Sequence, residues 1–171
     1  ILTRAATRGN GELGDDVTAN VKTISTIPLR IPVDPQKGAP PSRLVVRGEI
    51  LFHKQDFLDL NKEQVEQGLP TYVNARNTAS GSLKQKDSRE TAKRNLTAYI
   101  YSIVASDELM WETEWDSVGY LQDMGFNVIT HTQHYPTLSN IIQQLPTWET
   151  QRNDLDFEID GLVIKVNNLS L

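Results

Sequence analysis

The segment "RLVVRGEILF", residues 43–52, restricts the fold of this chain more than any other. Its apolar residues recur at alternate positions over most of its length: Leu44, Val46, Ile50 and Phe52. A period of two is typical of a β-strand whose apolar side packs against a core. Arg47 and Glu49 fall on the opposite side. The segment therefore predicts a strand with one buried face and one polar face.

Other segments also have strand character. "LTAYIYSIVA", residues 96–105, is rich in the aromatic and β-branched residues that strands favour. "FNVIT", residues 126–130, is a shorter candidate, and residues 1–8 alternate weakly. The apolar run of "DFEIDGLVIKV", residues 156–166, predicts a buried strand.

Helical patterns lie between these segments. Val17, Val21 and Ile24 recur at i, i+4 and i+7, which predicts a short helix. Longer helices are predicted at residues 54–67, 114–124 and around 138–145. Strands and helices are thus mixed, without the regular spacing of a doubly wound sheet. We predict an α+β fold with largely antiparallel sheets flanked by helices.

The sequence of the helix predicted at residues 54–67 also predicts which residues face the core and where the helix ends. Phe57, Leu58 and Val65 are expected to point inward, and Gly68 is expected to end the helix.

Length and composition limit the class of protein. The 171 residues are enough for one domain with its own core. The absence of cysteine excludes disulfides and thiolate metal sites. No run approaches the ~20 apolar residues of a membrane span, so we expect a soluble chain. Because residue 1 is Ile and an apolar stretch runs to the last residue, we expect residues 1–171 to be a domain truncated at both ends.

The charge is unevenly distributed. A net charge of −5 argues against a protein that simply coats nucleic acid. Residues 74–95 are nevertheless basic, with six cationic side chains against Asp87 and Glu90. If this segment is helical, Arg76, Ser80 and Lys84 share one face that spans about 12 Å, at about 1.5 Å per residue. Such a face suits successive backbone phosphates, although a solvated basic helix fits the pattern equally well.

Four segments combine charged residues with glycine. They are "ATRGNG" with Arg8, "VRGEI" with Arg47 and Glu49, "NARNTASGSLKQKD" with Arg76 and Lys84, and "EIDGLVIK" with Asp160 and Lys165. Glycine inside a strand often marks close approach of the backbone to a ligand. The alternative for each charged residue is a structural ion pair.

Several common sites find no match. "RGNG" is neither a dinucleotide-binding G-x-G-x-x-G nor a phosphate-binding G-K-[ST] loop. The chain has no G-x-S-x-G and no cysteine nucleophile. His131 and His134 lack an obvious carboxylate partner, so we interpret them as surface residues rather than metal ligands.

Asp160 and Lys165 pose a geometric problem. Five residues apart, they would point to opposite faces of a regular strand. A β-bulge or sharp twist at Gly161 would bring both toward one pocket. We therefore expect an irregular strand near Gly161 and a single cavity that Asp160 and Lys165 share with Glu49.

Taken in order, four motifs resemble those of one family. They are "ATRGNGELGDDVTANVKTI", "VRGEI", "NARNTASGSLKQKDS" and "FEIDGLVIKV". Together they are similar to the nucleotidyltransferase (adenylation) domain of bacterial NAD-dependent DNA ligases, over residues 5–167. The resemblance implies an ATP-grasp-like nucleotidyltransferase fold. It also implies an enzyme that moves AMP from NAD to a lysine, then to the 5′-phosphate of a nick, and seals the nick.

The resemblance also implies residue roles. Arg8 and Glu49 would contact the nucleotide ribose. Asp160 would organise the nucleotide and a divalent metal, Mg or Mn, and Lys165 would lie at the AMP phosphate. Asp160 and Lys165 would thus be catalytic as well as cofactor-binding.

Three further cations would bind phosphate by the same similarity. Arg76 and Arg152 would contact a phosphate of cofactor or DNA, and Lys84 stands where many members have arginine. Lysine keeps the charge there but loses the bidentate fork. Asn10 stands where the family usually has Asp, and Ala75 replaces a frequent Pro; we treat both as tolerated.

One family motif is absent from the 171 residues. The nucleophilic lysine of the family lies in K-x-D-G, whereas the only Asp-Gly here, at 160–161, has Glu158 two residues before it. In the family this motif lies upstream of "ATRGDG", and a second phosphate-binding lysine lies downstream of the region matched here. Because enzyme adenylation needs a covalent nucleophile, we predict that this chain alone cannot adenylate itself.

The resemblance implies NAD and nicked double-stranded DNA as partners, a monomeric full-length enzyme and a bacterial cytoplasmic location. Two alternatives remain open. One is a non-catalytic nucleotide- or nucleic-acid-binding module that kept the fold. The other is an ATP-dependent ligase or capping-type nucleotidyltransferase, which shares the short glycine-acid and glycine-lysine motifs.

Overall fold

The computed structural model describes residues 1–32, 39–108 and 110–170. In chain order its elements are α1 (Thr18–Val21), β1 (Leu44–Leu51), α2 (Lys54–Glu66), α3 (Ala75–Leu83), α4 (Ser88–Ala92), β2 (Thr97–Ser106), α5 (Glu114–Asp123) and α6 (Leu138–Gln151). The mixture confirms the predicted α+β class. No helix in the described ranges is long and apolar enough to cross a bilayer.

The two strands form the one sheet of the described residues. β1 and β2 are antiparallel, with Leu44 opposite Ser106 and Leu51 opposite Thr97. The register shifts twice, between residues 45 and 46 and between residues 47 and 48. At the second shift, a Cβ on Gly48 would lie 2.4 Å from the carbonyl oxygen of Tyr99, so only glycine fits there.

One face of this sheet carries the core. Ala98 and Ile100 are two positions apart on β2 and therefore share a face. Ala98 belongs to a cluster with residues of α2, α3 and the chain outside these helices: Ile24, Phe52, Leu60, Ala79 and Leu96. Ile100 packs with Leu121 of α5 and with Val128.

The predicted faces of β1 are confirmed. Val46 and Ile50 pack against these clusters and Phe52 is buried, whereas Arg47 and Glu49 are exposed. The polar face is thus directed away from the helices that cover the core.

The inner face of α2 differs from the prediction. Phe57 packs against the core as expected, but Leu58 and Val65 are 55% and 64% exposed, and Leu60 is buried instead. The helix has apolar residues on more than one face, and contact with Phe52 selects the face that carries residues 57 and 60. Gly68 lies at φ 68° just past the last turn, which confirms the predicted end.

The prediction of a buried strand at residues 156–166 is wrong. Phe157 is buried, but residues 161–166 form no ladder and are exposed, with Val163 84% exposed. A strand is buried only when neighbouring strands take up its N–H and C=O groups. No described strand pairs with this segment, so the predicted bulge at Gly161 has no ladder to interrupt.

Two shorter strand predictions are also wrong. Residues 126–130 form no strand, although the Asn127 carbonyl accepts a hydrogen bond from the Ile100 amide at 2.8 Å. Residues 1–8 contribute only an isolated bridge between Ala6 and Asp16. Residues 2, 5 and 7 make backbone hydrogen bonds with residues 29, 17 and 15, but these do not continue into a ladder.

Candidate active site

The glycine-rich loop after residue 8 is a closed turn. Gly9 and Gly11 have φ values of 53° and 101°, the left-handed region that glycine tolerates. The side-chain oxygen of Asn10 accepts hydrogen bonds from the amides of Glu12 and Leu13, at 3.0 and 2.8 Å. An amide oxygen therefore supplies the acceptor that this turn uses. Arg8 leaves the turn exposed to solvent.

The helix α3 forms within the basic segment of residues 74–95. Asn74 caps it by accepting a hydrogen bond from the Asn77 amide at 2.8 Å. Thr78, Ala79 and Ser82 turn inward and are buried. Arg76, Ser80 and Lys84 are exposed, with Lys84 one residue beyond the last helical position. The predicted basic face is thus directed toward solvent, and the opposite face anchors the helix.

Two ion pairs join α3 to neighbouring segments. Lys84 Nζ lies 2.8 Å from a carboxylate oxygen of Asp15, next to the glycine-rich loop. At the other end, Arg76 forms an ion pair with Asp160. α3 therefore bridges the loop that carries Arg8 and the segment that carries Asp160.

Arg152 lies on the Asp160 side of this bridge. It follows the last residue of α6, and its guanidinium donates to the carbonyl of Ile159 at 3.4 Å. Three residues singled out from the sequence, Arg76, Arg152 and Asp160, are therefore brought together.

Glu49 is linked to this group through two aromatic rings. It is opposite Tyr99 in the sheet, and the Tyr99 ring packs on Phe157 with centroids 5.3 Å apart. Phe157 is three residues before Asp160. Glu49 thus shares a sheet face with the aromatic ring that supports the Asp160 segment.

Lys165 lies elsewhere. Its ammonium group pairs with Glu114 at the start of α5, donates to the carbonyl of Tyr101 at 3.2 Å and lies 5.5 Å from the centroid of the Tyr101 ring. Asp160 and Lys165 therefore have different helices as partners. The expected single cavity shared by Asp160, Lys165 and Glu49 is not formed by these contacts.

Two open clefts flank the bridge. The larger, about 350 Å³, lies beside α3 and includes Tyr72, Asn77 and Arg94 in its lining. The smaller, about 190 Å³, is lined by α6 and the start of the exposed segment, including Trp148, Arg152 and Leu162. Of the candidate residues, Arg152 is the one that lines either of these two clefts.

Electrostatics on the Glu49 face favour a neutral Tyr99. Burial, and after it the negative charge of Asp156, raise the pKa of the Tyr99 hydroxyl, and a hydrogen bond with Asn127 offsets part of this. Tyr99 therefore contributes a neutral ring at this face of the sheet.

Comparison with known proteins identifies the family. A family model described as NAD-dependent DNA ligase adenylation domain matches residues 1–171. The chain belongs to this adenylation-domain family. It is 41% identical to a DNA ligase of Symbiobacterium thermophilum, 37% to one of Petrotoga mobilis and 41% to one of Aquifex aeolicus. These matches cover 99%, 100% and 100% of the chain.

The adenylation domain described here is a small part of those ligases. The chain spans 25%, 25% and 24% of the three relatives' own lengths. Ion pairs directly connect three of the four motifs that carried the resemblance: the glycine-rich loop, α3 and the Asp160 segment. The strand motif with Glu49 joins them through Tyr99 and Phe157.

Some contacts of this adenylation domain were not anticipated from the sequence. Asp15 and Glu114 are the partners of Lys84 and Lys165. Asp15 lies close to the glycine-rich loop, so its position was a usable signal. Glu114 lies 51 residues before Lys165, and no sequence pattern links the two.

The described residues offer few carboxylate or imidazole ligands for a divalent metal. In the part of the chain that the structure describes, no group of three or more His, Asp or Glu side chains is placed to hold an ion. Asp160 offers a single, 79% exposed carboxylate. Mg²⁺ often keeps several waters and binds one or two carboxylates together with substrate phosphates, so Asp160 fits that mode.

Proposed function

We propose that this chain is the AMP-handling part of an NAD-dependent DNA ligase. The complete enzyme transfers AMP from NAD to a lysine, passes it to the 5′-phosphate of nicked double-stranded DNA, and seals the nick. The observation that carries this proposal is the bridge made by α3, with Lys84 on Asp15 and Arg76 on Asp160. This bridge collects cations and a carboxylate from distant parts of the sequence, as phosphoryl transfer requires.

The two ion pairs are suited to exchange. All four side chains are between 48% and 79% exposed. Solvent screens such pairs, so they contribute little net stability. A phosphate oxygen can therefore replace Asp15 or Asp160 as the partner of Lys84 or Arg76. We propose that both cations bind phosphate of cofactor or DNA in this way.

The remaining roles follow the family. Arg8 and Glu49 would bind the nucleotide ribose, since both are exposed and have no ion-pair partner among the described residues. Arg152 would bind phosphate beside Asp160. Lys165 would leave Glu114 and bind the AMP phosphate. In this proposal the single cavity forms around the nucleotide.

Asp160 would also hold Mg or Mn. When bound, the metal would neutralise charge on the transferring phosphate. Arg76 would then act as the switchable partner of the Asp160 carboxylate, which it neutralises in the ligand-free protein.

The nucleophile lies outside residues 1–171 in this proposal. No K-x-D-G occurs in the chain. In the complete enzyme the lysine amine would attack the α-phosphorus of NAD, the phosphoanhydride bond would break, and nicotinamide mononucleotide would leave. The nucleotidyltransferase (ATP-grasp-like) fold, the monomeric state and the bacterial cytoplasm belong to the same proposal.

The proposal is tested on the full-length protein. It is incubated with NAD labelled in the AMP half, and covalent label and released nicotinamide mononucleotide are measured, followed by sealing of a nicked duplex. We expect all three signals, and we expect Arg76→Ala to reduce sealing strongly. Arg89→Ala is the matched control, because Arg89 is exposed and pairs only locally with Asp87.

The outcomes separate the alternatives. Label from ATP but not from NAD would assign an ATP-dependent nucleotidyltransferase. No label from either, with nucleotide or DNA still bound, would assign a non-catalytic module. Equal activity of the Arg76 and Arg89 variants would contradict the role of the α3 bridge.

A further inference from the structure

The first residue of α2 holds the chain between Arg152 and Asp160. Lys54 Nζ donates hydrogen bonds to the carbonyls of Asn153 and Leu155, at 3.1 and 2.6 Å. The backbone amide of Lys54 donates to the carbonyl of Asp156 at 2.6 Å. One residue therefore binds three carbonyls of the 153–156 segment.

Neighbouring side chains complete this attachment. His53 Nδ1 lies 2.8 Å from a carboxylate oxygen of Asp156. The rings of His53 and Tyr99 both pack on Phe157, which is 5% exposed. We call these contacts of residues 53 and 54 with residues 153–157 the Lys54 clasp.

The clasp holds the segment that lies between two charged residues of the candidate site. Arg152 comes directly before residues 153–157, and Asp160 follows three residues after them. Since the Arg152 guanidinium also donates to Ile159, the segment between the two is a closed turn. Holding its middle limits how far the two charged groups can move apart.

Lysine is suited to this task. Its ammonium group has three donors and no acceptor, so it can satisfy several carbonyls at once. Those carbonyls follow the C-terminal end of α6, where the helix dipole favours positive charge. The Lys54 ammonium is thus bound by backbone carbonyls. The cationic groups of Arg76 and Lys84 are instead paired with exposed carboxylates.

We propose that Lys54 is a positioning residue that sets the relative placement of Arg152 and Asp160. This inference rests on the proposed function, because it gives that placement its purpose. Lys54 acts through the turn and does not contact the nucleotide. The charges that bind the AMP phosphate are therefore arranged before the ligand arrives.

The test uses the full-length protein with Lys54→Met, which keeps the length of the side chain and removes its donors. Lys62→Met is the matched control, because Lys62 lies on the same helix, is exposed and pairs only with Asp59. We expect amide hydrogen exchange at residues 54, 153 and 154, whose amides donate to the carbonyls of residues 156, 150 and 151, to accelerate by roughly fivefold to tenfold, the factor of an ordinary hydrogen bond. The control should leave it unchanged.

Activity gives the second readout. Single-turnover transfer of AMP to the nick should slow by about tenfold to a hundredfold in Lys54→Met, since small misplacements of reacting groups cost on that order. Lys54→Gln, which keeps one donor group, should fall between Lys54→Met and the unsubstituted protein. It also serves if the methionine variant does not fold.

A double-mutant cycle with Arg152→Lys separates positioning from general stabilisation. If Lys54 acts through Arg152, the loss in the double variant is smaller than the product of the two single losses. Losses that multiply, or exchange at the unsubstituted rate in Lys54→Met, would overturn the proposal. If the unsubstituted protein transfers no AMP, the proposed function fails, while the exchange measurement still decides whether Lys54 holds the turn.

Discussion

The cationic side chains of this domain fall into two groups according to the groups that bind them. Arg76, Lys84 and Lys165 pair with carboxylates, whereas Lys54 binds backbone carbonyls. The exposed carboxylate partners of Arg76 and Lys84 can be exchanged for a phosphate, whereas the carbonyls that bind Lys54 lie beside the buried Leu155 and Phe157. Arg76 and Lys84 are therefore suited to binding, and Lys54 to holding the chain in place.

The phosphate role of Lys84 is open to a direct test. In the full-length protein, Lys84→Met should weaken binding of nicked DNA and lower the slope of log affinity against log salt by about one, because one phosphate contact is lost. Lys84→Arg should preserve the slope. Lys86→Met is the control, since Lys86 is exposed, lies two residues away and has no ion-pair partner among the described residues. Equal slopes for the two methionine variants would contradict the role.

The Tyr99 hydroxyl predicts a pH effect. Because its pKa is raised in the folded state, its contribution to stability is present below the unfolded pKa of about 10 and is lost as the pH rises through the higher folded value. Asp156→Asn removes one cause and should shift the titration of Tyr99 downward, measured by NMR of the tyrosine rings. Burial alone raises the pKa of Tyr120, so Tyr120 is the internal control. A shift of both tyrosines, or of neither, would contradict this account.

Among the elements, the β1–β2 pair organises the site. Its irregular register brings Gly48 against the Tyr99 carbonyl and leaves Glu49 on the face away from the core. α3 then ties the glycine-rich loop to the Asp160 segment. The candidate site thus depends on the close backbone contact at Gly48 and on α3, which has one buried face and one exposed basic face.

Gly48 should not tolerate a side chain. We expect Gly48→Ala to lower the free energy of unfolding by about 1–3 kcal/mol, as overpacking does, because its Cβ would also lie 2.6 Å from Ile100 Cδ1. Gly119→Ala in α5 should raise it by up to about 1 kcal/mol, since no atom lies within 4 Å and alanine favours the helix. Denaturant unfolding of both variants checks this pair. A neutral Gly48→Ala would show that the strands can separate there without cost.

For the whole molecule, the 171 residues are a quarter of the length of the related ligases. α6 and residues 161–166 leave apolar side chains exposed, among them Leu138, Ile142 and Val163. The domain therefore has an apolar surface that its own described residues do not fully cover.

The division between binding groups and nucleophile is testable. The 171-residue chain incubated with AMP-labelled NAD and divalent metal should give no covalent band, because no K-x-D-G lysine is present to form the phosphoramidate bond. The full-length protein, treated in parallel, should give one. A labelled band on the short chain would place the nucleophile within these residues and refute the prediction.

Local patterns predicted much of this domain. The alternation in β1 correctly gave the exposure of Arg47 and Glu49, and helix patterns located α2 and α5 to within one residue. They located the start of α6 but not its end, which lies six residues beyond residue 145. The four charged motifs pointed to the family that comparison confirms. These features depend on neighbours within one or two turns or strand repeats, so the sequence alone contains their cause.

Long-range contacts decided the rest. Whether residues 161–166 form a strand depends on partners distant in the chain, and apolar content cannot supply those partners. Contact with Phe52 selected the inner face of α2, and Glu114 rather than Asp160 became the neighbour of Lys165. The sequence could propose candidate site residues, but it could not predict their ion-pair partners. An ion pair requires two distant segments to be placed within a few ångströms of each other by the packing of everything between them.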